Sequence, residues 1–187
     1  LNLFPRIGII LNIDLDHLDY FKNIQHITNT FTKFGQLIPE DGFLIAFADD
    51  PNIQQILPHM HCNVITYGLE SNSDYRAVNI SLDKNGFPVF DVMVREQPLG
   101  QFHLNIPGKH NVCNALASIA CCHTLGVPME QIQKFLSAFK GTHRRFDILG
   151  VVDDITVIDD YAHHPTEVKA TLAGAAQVPH NRIWSVF

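Results

Sequence analysis

Short apolar runs alternate with helical patterns in the first third of the chain. Unbroken apolar runs are typical of strands that are buried on both faces of a parallel sheet. Between these runs, apolar residues recur every three or four positions, which is the spacing of a helix with one buried face. This β-α-β-α-β order predicts the α/β class, with a parallel sheet covered by helices. Strands are predicted at 7–13, 43–47 and 63–68, and helices at 23–37 and 52–58.

The apolar period changes to two between Tyr75 and Ile106. Such alternation is typical of strands with one solvated face. Turn residues occur at 84–86 and 98–100, so we expect a three-stranded antiparallel meander. The residues predicted to share a face are Val78, Ile80 and Leu82, then Phe90, Val92 and Val94, then Phe102, Leu104 and Ile106.

A second α/β unit is predicted after a domain boundary at 141–150. Two helices precede the boundary, at 110–125 and 129–139, and the pattern then returns to strands and a helix. We therefore divide the chain into a partial first domain at 1–143 and the start of a Rossmann-like second domain at 144–187. The elements predicted beyond the boundary are strands at 145–152, 155–159 and 182–187 and a helix at 165–177.

Composition and charge exclude several classes of protein. The formal net charge is −6 and no run of Lys or Arg occurs, so nucleic acid is not expected as a partner. No apolar stretch approaches the roughly 18 residues of a membrane span, so no membrane insertion is expected. The four cysteines lack paired C-x-x-C spacing, which favours a reducing cytoplasm over zinc or disulfides. Without an initial Met or signal-peptide features, the chain is expected to be part of a longer protein.

Three aspartates and a histidine follow the first predicted strand, in the segment DLDHLD. In open α/β sheets ligands bind beyond the carboxyl ends of the strands, and this segment lies at such an end. Asp14, Asp16, His17 and Asp19 could therefore hold a divalent ion, although Mg²⁺ usually takes only one or two protein ligands. Equally, Asp14 or Asp16 could cap the following helix in a solvated turn. The residues alone leave both interpretations open.

The segment IPGKHNVCNALASIA, at 106–120, begins a predicted helix. Its Gly-Lys pair does not complete a phosphate loop, because His103 and His110 occupy positions that require Gly and Ser or Thr. Asn111, Asn114 and Ser118 lie on one polar stripe, and amides on such a stripe could bind the edge of a nucleobase. The alternative is that Asn111 caps the helix and Asn114 is merely solvated. The opposite, apolar face consists of Val112, Leu116 and Ile119.

Two more polar segments lie near the predicted domain boundary. In GTHRRFD, Arg144 and Arg145 could bind a phosphate, because a guanidinium presents a rigid fork of donors. Surface arginines near a linker could equally have no ligand. In VIDDYAHHPTE a strand ends in two aspartates, and Thr166 or Glu167 could cap the helix that follows.

In their order along the chain, the four segments resemble the Mur ligases of peptidoglycan synthesis. The resemblance covers essentially the whole chain. DDYAHHPTE and the R-R-F run are most similar to the member that joins L-alanine to UDP-N-acetylmuramate. The resembling segments are NIDLDHLDYF, PGKHNVCNALASIA, GTHRRFDILG and VIDDYAHHPTE.

The resemblance implies ATP and Mg²⁺ as cofactors. His17 resembles the family's magnesium-binding histidine, which leaves the neighbouring aspartates as turn and cap residues. His110, Asn111 and Asn114 resemble the group that holds the adenine of ATP. Arg145 resembles the arginine that reaches the ATP phosphates from the domain junction, so His17 and Arg145 are the implied catalytic residues.

The resemblance also implies that the second domain closes over nucleotide and substrate. Asp160 is assigned to the nucleotide, and Tyr161 and His163 are assigned to the substrate. In the implied reaction, ATP phosphorylates the muramate carboxylate. The amine of L-alanine then attacks the acyl phosphate, and ADP and phosphate are released.

Several parts of the family pattern are absent from this chain: the phosphate loop, the acidic magnesium-binding loop, the UDP-binding domain and most of the C-terminal domain. We therefore expect the isolated chain to be inactive. Two alternatives stay open, namely the related ligase that recycles murein tripeptide and a non-catalytic nucleotide-binding remnant. The oligomeric state and the use of a carbamylated lysine are also left open.

Overall fold

Six strands form one continuous sheet in chain order. The computed structural model describes residues 3–70 and 72–186. The strands are β1 (Ile7–Ile10), β2 (Phe43–Phe47), β3 (Asn63–Gly68), β4 (Tyr75–Leu82), β5 (Pro88–Val94) and β6 (Gln97–His103). Strands β1 to β4 pair in parallel, and β4 to β6 pair antiparallel. The predicted parallel sheet and the predicted meander are both confirmed, as two parts of one sheet.

A short ladder joins the parallel and antiparallel parts, and it begins with Tyr67 opposite Tyr75. Asp74 supports this junction, because its Oδ2 accepts hydrogen bonds from the backbone N–H of Thr66 at 2.9 Å and from the Thr66 hydroxyl at 3.0 Å. Its Oδ1 accepts from Nε of Arg95 at 3.1 Å. One carboxylate therefore ties β3 to β4 and to the turn that follows β5.

Helices cover both faces of the sheet. Successive strand residues point to opposite faces, and in β2 the fully buried Leu44 and Ile45 belong to two different apolar clusters. The Leu44 cluster includes residues of α1 and α2, and the Ile45 cluster includes residues of α3 and α4. No helix in the described part of the chain is long and apolar enough to cross a bilayer. The helices are α1 (Ile24–Gly35), α2 (Pro51–Ile56), α3 (Lys109–Thr124) and α4 (Met129–Ala138), and a 3₁₀ turn (Leu57–His59) follows α2.

Strand β1 is shorter and less buried than predicted. It ends at Ile10 rather than at residue 13. Ile10 is buried, but Ile9 is 40% exposed on the opposite face. The reason is its place in the sheet: within residues 3–70 and 72–186, β1 pairs with β2 alone and forms an edge strand, so helices cover one of its faces less completely.

The predicted shared face of β4 is wrong. Tyr75 and Ala77 are the buried residues, whereas Ile80 and Leu82 are 41% and 46% exposed. The pairing with β5 shifts register between Val78 and Ser81. Val78 lies opposite Asp91 and Leu82 lies opposite Pro88, so the extra residue of this bulge puts Val78 and Leu82 on different faces of the sheet. The predicted faces of the other two strands are supported by the burial of Phe90, Val92, Phe102 and Leu104.

The second turn of the meander is also displaced from its predicted place at 98–100. The chain reverses at Arg95 and Glu96, which both have positive φ, of 46° and 69°. A two-residue turn of this kind matches the right-handed twist of the paired strands. Pro98 and Gly100 lie inside β6 instead.

The second unit consists of a two-stranded antiparallel sheet and one helix. The elements are β7 (Asp147–Val152), β8 (Ile155–Asp159) and α5 (Pro165–Ala175). The strand predicted at 182–187 is not formed by residues 182–186, which pair with neither β7 nor β8, and Phe187 lies outside the described residues. A strand requires a neighbour that accepts its backbone hydrogen bonds, and apolar sequence alone does not provide one.

The core around α3 gives a test of the fold. Leu116 is fully buried, so Leu116→Ala should lower the free energy of unfolding by about 2–5 kcal/mol through lost burial and a residual cavity. Leu125→Ala is the matched control, because Leu125 is 61% exposed and should change stability by no more than about 0.5 kcal/mol. Urea denaturation of the chain measures both, and equal effects would contradict the assigned core.

Candidate active site

Four chain segments meet at one edge of the large sheet. Because β6 is antiparallel to β5 and β5 is antiparallel to β4, β6 points the same way as the parallel strands. The turn after β1, the hairpin after β4 and the start of α3 therefore share the carboxyl edge, where ligands bind in open α/β sheets. Helix α5 lies along the same edge, since it contacts the turn after β1 at one end and the start of α3 at the other.

The turn after β1 carries His17, which has a left-handed backbone with φ of 52°. Its backbone N–H donates to Oδ1 of Asp16 at 2.6 Å, and its Nε2 lies 3.8 Å from the other carboxylate oxygen. Asp14 similarly accepts from the N–H of Leu15 at 2.7 Å. These aspartates order the turn and do not cap α1, because the α1 cap is Asn23. That part of the sequence interpretation is wrong.

The donors around His17 set limits on a metal site. Within residues 3–70 and 72–186, no group of three or more His, Cys, Asp or Glu side chains could hold a metal ion. His17 and Asp16 offer one imidazole and one carboxylate, both well exposed. Mg²⁺ commonly takes one or two protein ligands and completes its shell with water and phosphate oxygens. The residues present therefore fit an ion that is held mainly by a phosphorylated ligand.

The start of α3 presents its amides to solvent. Gly108, with φ of 101°, precedes the helix, and no side chain caps it. Asn111 does not cap the helix, because its Nδ2 donates to the carbonyl of Pro107 at 2.7 Å. Asn114 is exposed and its Nδ2 lies 3.3 Å from Oδ1 of Asn111. The predicted opposite face is confirmed, because Val112, Leu116 and Ile119 are fully buried.

The imidazole of His110 lies against Gly108, where an added Cβ would be 2.5 Å from Cε1 of the ring. Burial lowers the pKa of His110 below its ordinary value; the charge of Asp160 opposes this shift and that of Arg145 adds to it. The ring is therefore neutral at pH 7 and has one donor and one acceptor. The hydrogen bond from the N–H of Gly108 to Oε1 of Gln177, at 3.1 Å, shows that the start of α3 and the second unit lie close together.

Arg145 lies on the second unit with half of its side chain exposed. Its Nη1 is 3.4 Å from Oε1 of Glu167, in the first turn of α5. Burial acts to raise the pKa of Glu167, but the backbone N–H groups of His163 and His164 and the Arg145 guanidinium outweigh it, so the pKa is lowered. The guanidinium is thus oriented by a carboxylate and keeps further donors for a ligand.

The carboxylate of Asp160 accepts several hydrogen bonds from residues of its own unit. Its Oδ2 accepts from the N–H of Phe146 at 2.9 Å and from the hydroxyl of Thr171 at 3.2 Å. Its Oδ1 accepts from the N–H of Ala162 at 2.8 Å. Asp160 therefore fixes the turn that carries Arg145, and its contact with a nucleotide stays a prediction.

Tyr161 and His163 form an exposed aromatic pair, with ring centroids 5.3 Å apart. The guanidinium of Arg144 lies 5.9 Å from the Tyr161 ring centroid, within range of a cation–π interaction. Nδ1 of His163 is 3.0 Å from the Tyr161 carbonyl. The pair is accessible to a substrate beside Arg145.

His164 caps α5, and neither Thr166 nor Glu167 does so as the sequence predicted. Its Nδ1 accepts from the N–H of Thr166 at 3.3 Å, and its Nε2 is 3.0 Å from the carbonyl of Leu15. The Thr166 hydroxyl donates to Oδ2 of Asp14 at 2.8 Å, and this hydrogen bond is the main reason that the pKa of Asp14 is lowered. Sequence reasoning missed the two contacts with the turn after β1, which join residues 149 and 152 positions apart and leave no local pattern.

The sequence profile of the Mur ligase middle domain matches residues 2–122, and that of the Mur ligase glutamate ligase domain matches residues 144–187. UDP-N-acetylmuramate–L-alanine ligase of Alkaliphilus metalliredigens is 54% identical over 187 residues, which are 100% of this chain and 41% of that protein. The chain thus spans about 41% of the length of this curated relative.

Two solved structures share the fold. UDP-N-acetylmuramate–alanine ligase from Thermotoga maritima superposes with a TM-score of 0.79 and 30% identity, over 94% of this chain and 39% of that one. A murein peptide ligase from Psychrobacter arcticus superposes with a TM-score of 0.67 and 32% identity, over 94% and 35% of the two chains. With one family profile matching more than half of its residues, the chain belongs to the Mur ligase family.

Proposed function

We propose that the full-length protein that contains this chain joins L-alanine to UDP-N-acetylmuramate, with ATP cleaved to ADP and phosphate. The observation that carries this proposal is the 54% identity, over all 187 residues of the chain, to a UDP-N-acetylmuramate–L-alanine ligase. The matched region includes both units and all four segments that form the site. The two profile matches also support a division near residue 143 into a middle domain and the start of a C-terminal domain.

The start of α3 is proposed to hold the adenine of ATP. A base edge presents alternating donors and acceptors, and the neutral His110 ring and the amides of Asn111 and Asn114 offer both kinds of group. Asn111 is already oriented by its hydrogen bond to Pro107. Asn114 is exposed on the same stripe and is the amide most accessible to a ligand.

His17 and Arg145 are proposed to act on the phosphates. Magnesium, when bound, offsets negative charge on the phosphoryl group during its transfer. His17 would supply a ring nitrogen to that ion from its turn at the carboxyl edge of the sheet. Arg145 would donate from its rigid fork to the phosphate oxygens, while Glu167 holds the guanidinium in place.

The second unit is proposed to complete the site. Tyr161 and His163 would contact the substrate, and Asp160 would fix the turn that presents Arg145 to the nucleotide. The muramate carboxylate then attacks the terminal phosphorus of ATP, and the alanine amine displaces phosphate from the acyl phosphate. We place the protein in the cytoplasm, which is consistent with four unpaired cysteines.

Ligation of murein peptide is the second candidate, favoured by the 32% identity to a solved murein peptide ligase. Phosphate release by the full-length protein, with ATP and UDP-N-acetylmuramate, distinguishes the candidates. We expect release to require L-alanine. Release with murein tripeptide but not L-alanine would favour the second candidate, and no release with either amine would favour a non-catalytic nucleotide-binding protein.

His17→Ala in the full-length ligase should abolish most activity and raise the Mg²⁺ concentration needed for half-maximal rate, because one ligand of the ion is lost. His61→Ala is the matched control, since His61 is an exposed histidine at the amino end of β3, on the opposite edge of the sheet. Steady-state rates across a Mg²⁺ titration measure both variants. An unchanged Mg²⁺ dependence in His17→Ala would refute the metal role.

Asn114→Ala should raise the KM for ATP by about two- to tenfold, which corresponds to the loss of one hydrogen bond. The KM for L-alanine should change little. Ser118→Ala is the control, because the Ser118 hydroxyl lies on the same stripe but donates to the carbonyl of Asn114 within its own helix. Equal increases in both Michaelis constants would show that Asn114 does not bind adenine.

A further inference from the structure

The C-terminal end of α5 packs against the start of α3. A Cβ added at Gly174, in the last turn of α5, would lie 3.5 Å from Cα of Gly108 and 3.7 Å from the carbonyl carbon of Pro107. These are ordinary contact distances, so the backbones of the two segments approach closely. Just beyond the helix, Oε1 of Gln177 accepts a hydrogen bond from the N–H of Gly108 at 3.1 Å.

The hairpin after β4 contacts the same residue from another side. A Cβ added at Gly86 would lie only 2.1 Å from the backbone oxygen of Gln177 and 2.8 Å from Cα of Val178. No side chain fits at that distance. Gln177 is therefore held between two glycine turns of the first unit, one at Gly86 and one at Gly108.

The hydrogen bond between Gln177 and Gly108 affects the residue at which α3 begins. Gly108, the residue that precedes α3, makes no side-chain capping hydrogen bond, so the conformation of the Pro107–Gly108 turn depends on its neighbours. Gln177 binds the N–H of this turn, and Asn111 binds its Pro107 carbonyl at 2.7 Å. A continuous series of contacts thus joins Gln177 to the amides on α3.

We infer that Gln177 is a positioning residue for the nucleotide site. Its side-chain oxygen holds the Pro107–Gly108 turn, and through that turn it sets the orientation of Asn111 and His110. Gly86 is small because the backbone of Gln177 occupies the space that a side chain would need. The inference rests on the proposed function, in which the start of α3 binds adenine.

Substitution of Gln177 in the full-length ligase tests the hydrogen bond. Gln177→Met keeps the length of the side chain and removes the acceptor, so the KM for ATP should rise about two- to tenfold. Gln177→Glu retains an acceptor oxygen at the same reach and should restore most of the affinity. Gln133→Met is the control, because Gln133 donates a comparable hydrogen bond to the Gln101 carbonyl, at 2.9 Å, away from this contact.

Substitution of glycine tests the second side of the contact. Gly86→Ala combines a strained φ of +82° with a collision against Gln177, whereas Gly126→Ala has a similar φ of +76° and no atom within 4 Å of the new Cβ. Both substitutions remove the conformational freedom of glycine to the same extent. A larger rise in the KM for ATP in Gly86→Ala than in Gly126→Ala is therefore expected from the contact alone.

Hydrogen–deuterium exchange separates this inference from the proposed function, because it needs no ligase activity. Gln177→Met should accelerate amide exchange in a peptide that contains Gly108, and Gln133→Met should not. Unchanged exchange overturns the inference, and so does faster exchange with an unchanged KM for ATP in an active ligase. A wild-type protein without ATP-dependent activity refutes the proposed function instead, and exchange alone then decides whether Gln177 holds the turn.

Discussion

Burial of β2 on both faces is the constraint on which the rest of the molecule depends. Leu44 and Ile45 are adjacent, both fully buried, and packed into separate clusters on opposite sides of the sheet. Each cluster requires helices on its own side of the sheet. Helices α1 and α2 supply one side, and helices α3 and α4 supply the other. Since the faces are then covered, the carboxyl edge of the sheet is where turns and helix starts remain accessible.

That edge is also where the second unit attaches. Helix α5 is bonded to the turn after β1 through His164 and Thr166, and its other end contacts Gly108. One short helix thus spans the space between the residues proposed to bind magnesium and those proposed to bind adenine. A change in the position of the second unit would alter both places, because His164 and Thr166 bind the turn after β1 and Gln177, just beyond the other end of α5, binds Gly108.

The parts predictable from sequence are those with a local pattern. The strands and helices of the sheet followed from apolar periodicity, and the buried face of α3 followed from its helical spacing. The face of β4 was wrong because a bulge between Val78 and Ser81 reverses the side chains; Asn79, with a left-handed φ of 53°, lies in it and was the signal that the apolar pattern overrode. The contacts of Thr166 with Asp14 and of Gln177 with Gly108 are long-range and depend on tertiary packing, so a single sequence contains no signal for them.

In the proposed function both units form one site, in which the phosphates of ATP lie near His17 and the adenine lies near Asn114. Paramagnetic broadening of nuclear magnetic resonance signals in the full-length protein by Mn²⁺-ATP tests this most directly, since Mn²⁺ replaces Mg²⁺ at oxygen-rich sites. We expect the His17 imidazole signal to disappear while that of His61 persists, and we expect metal-free ATP to shift the signal of the Asn114 side-chain amide. Equal broadening of His17 and His61, or an unshifted Asn114 amide, would contradict this arrangement.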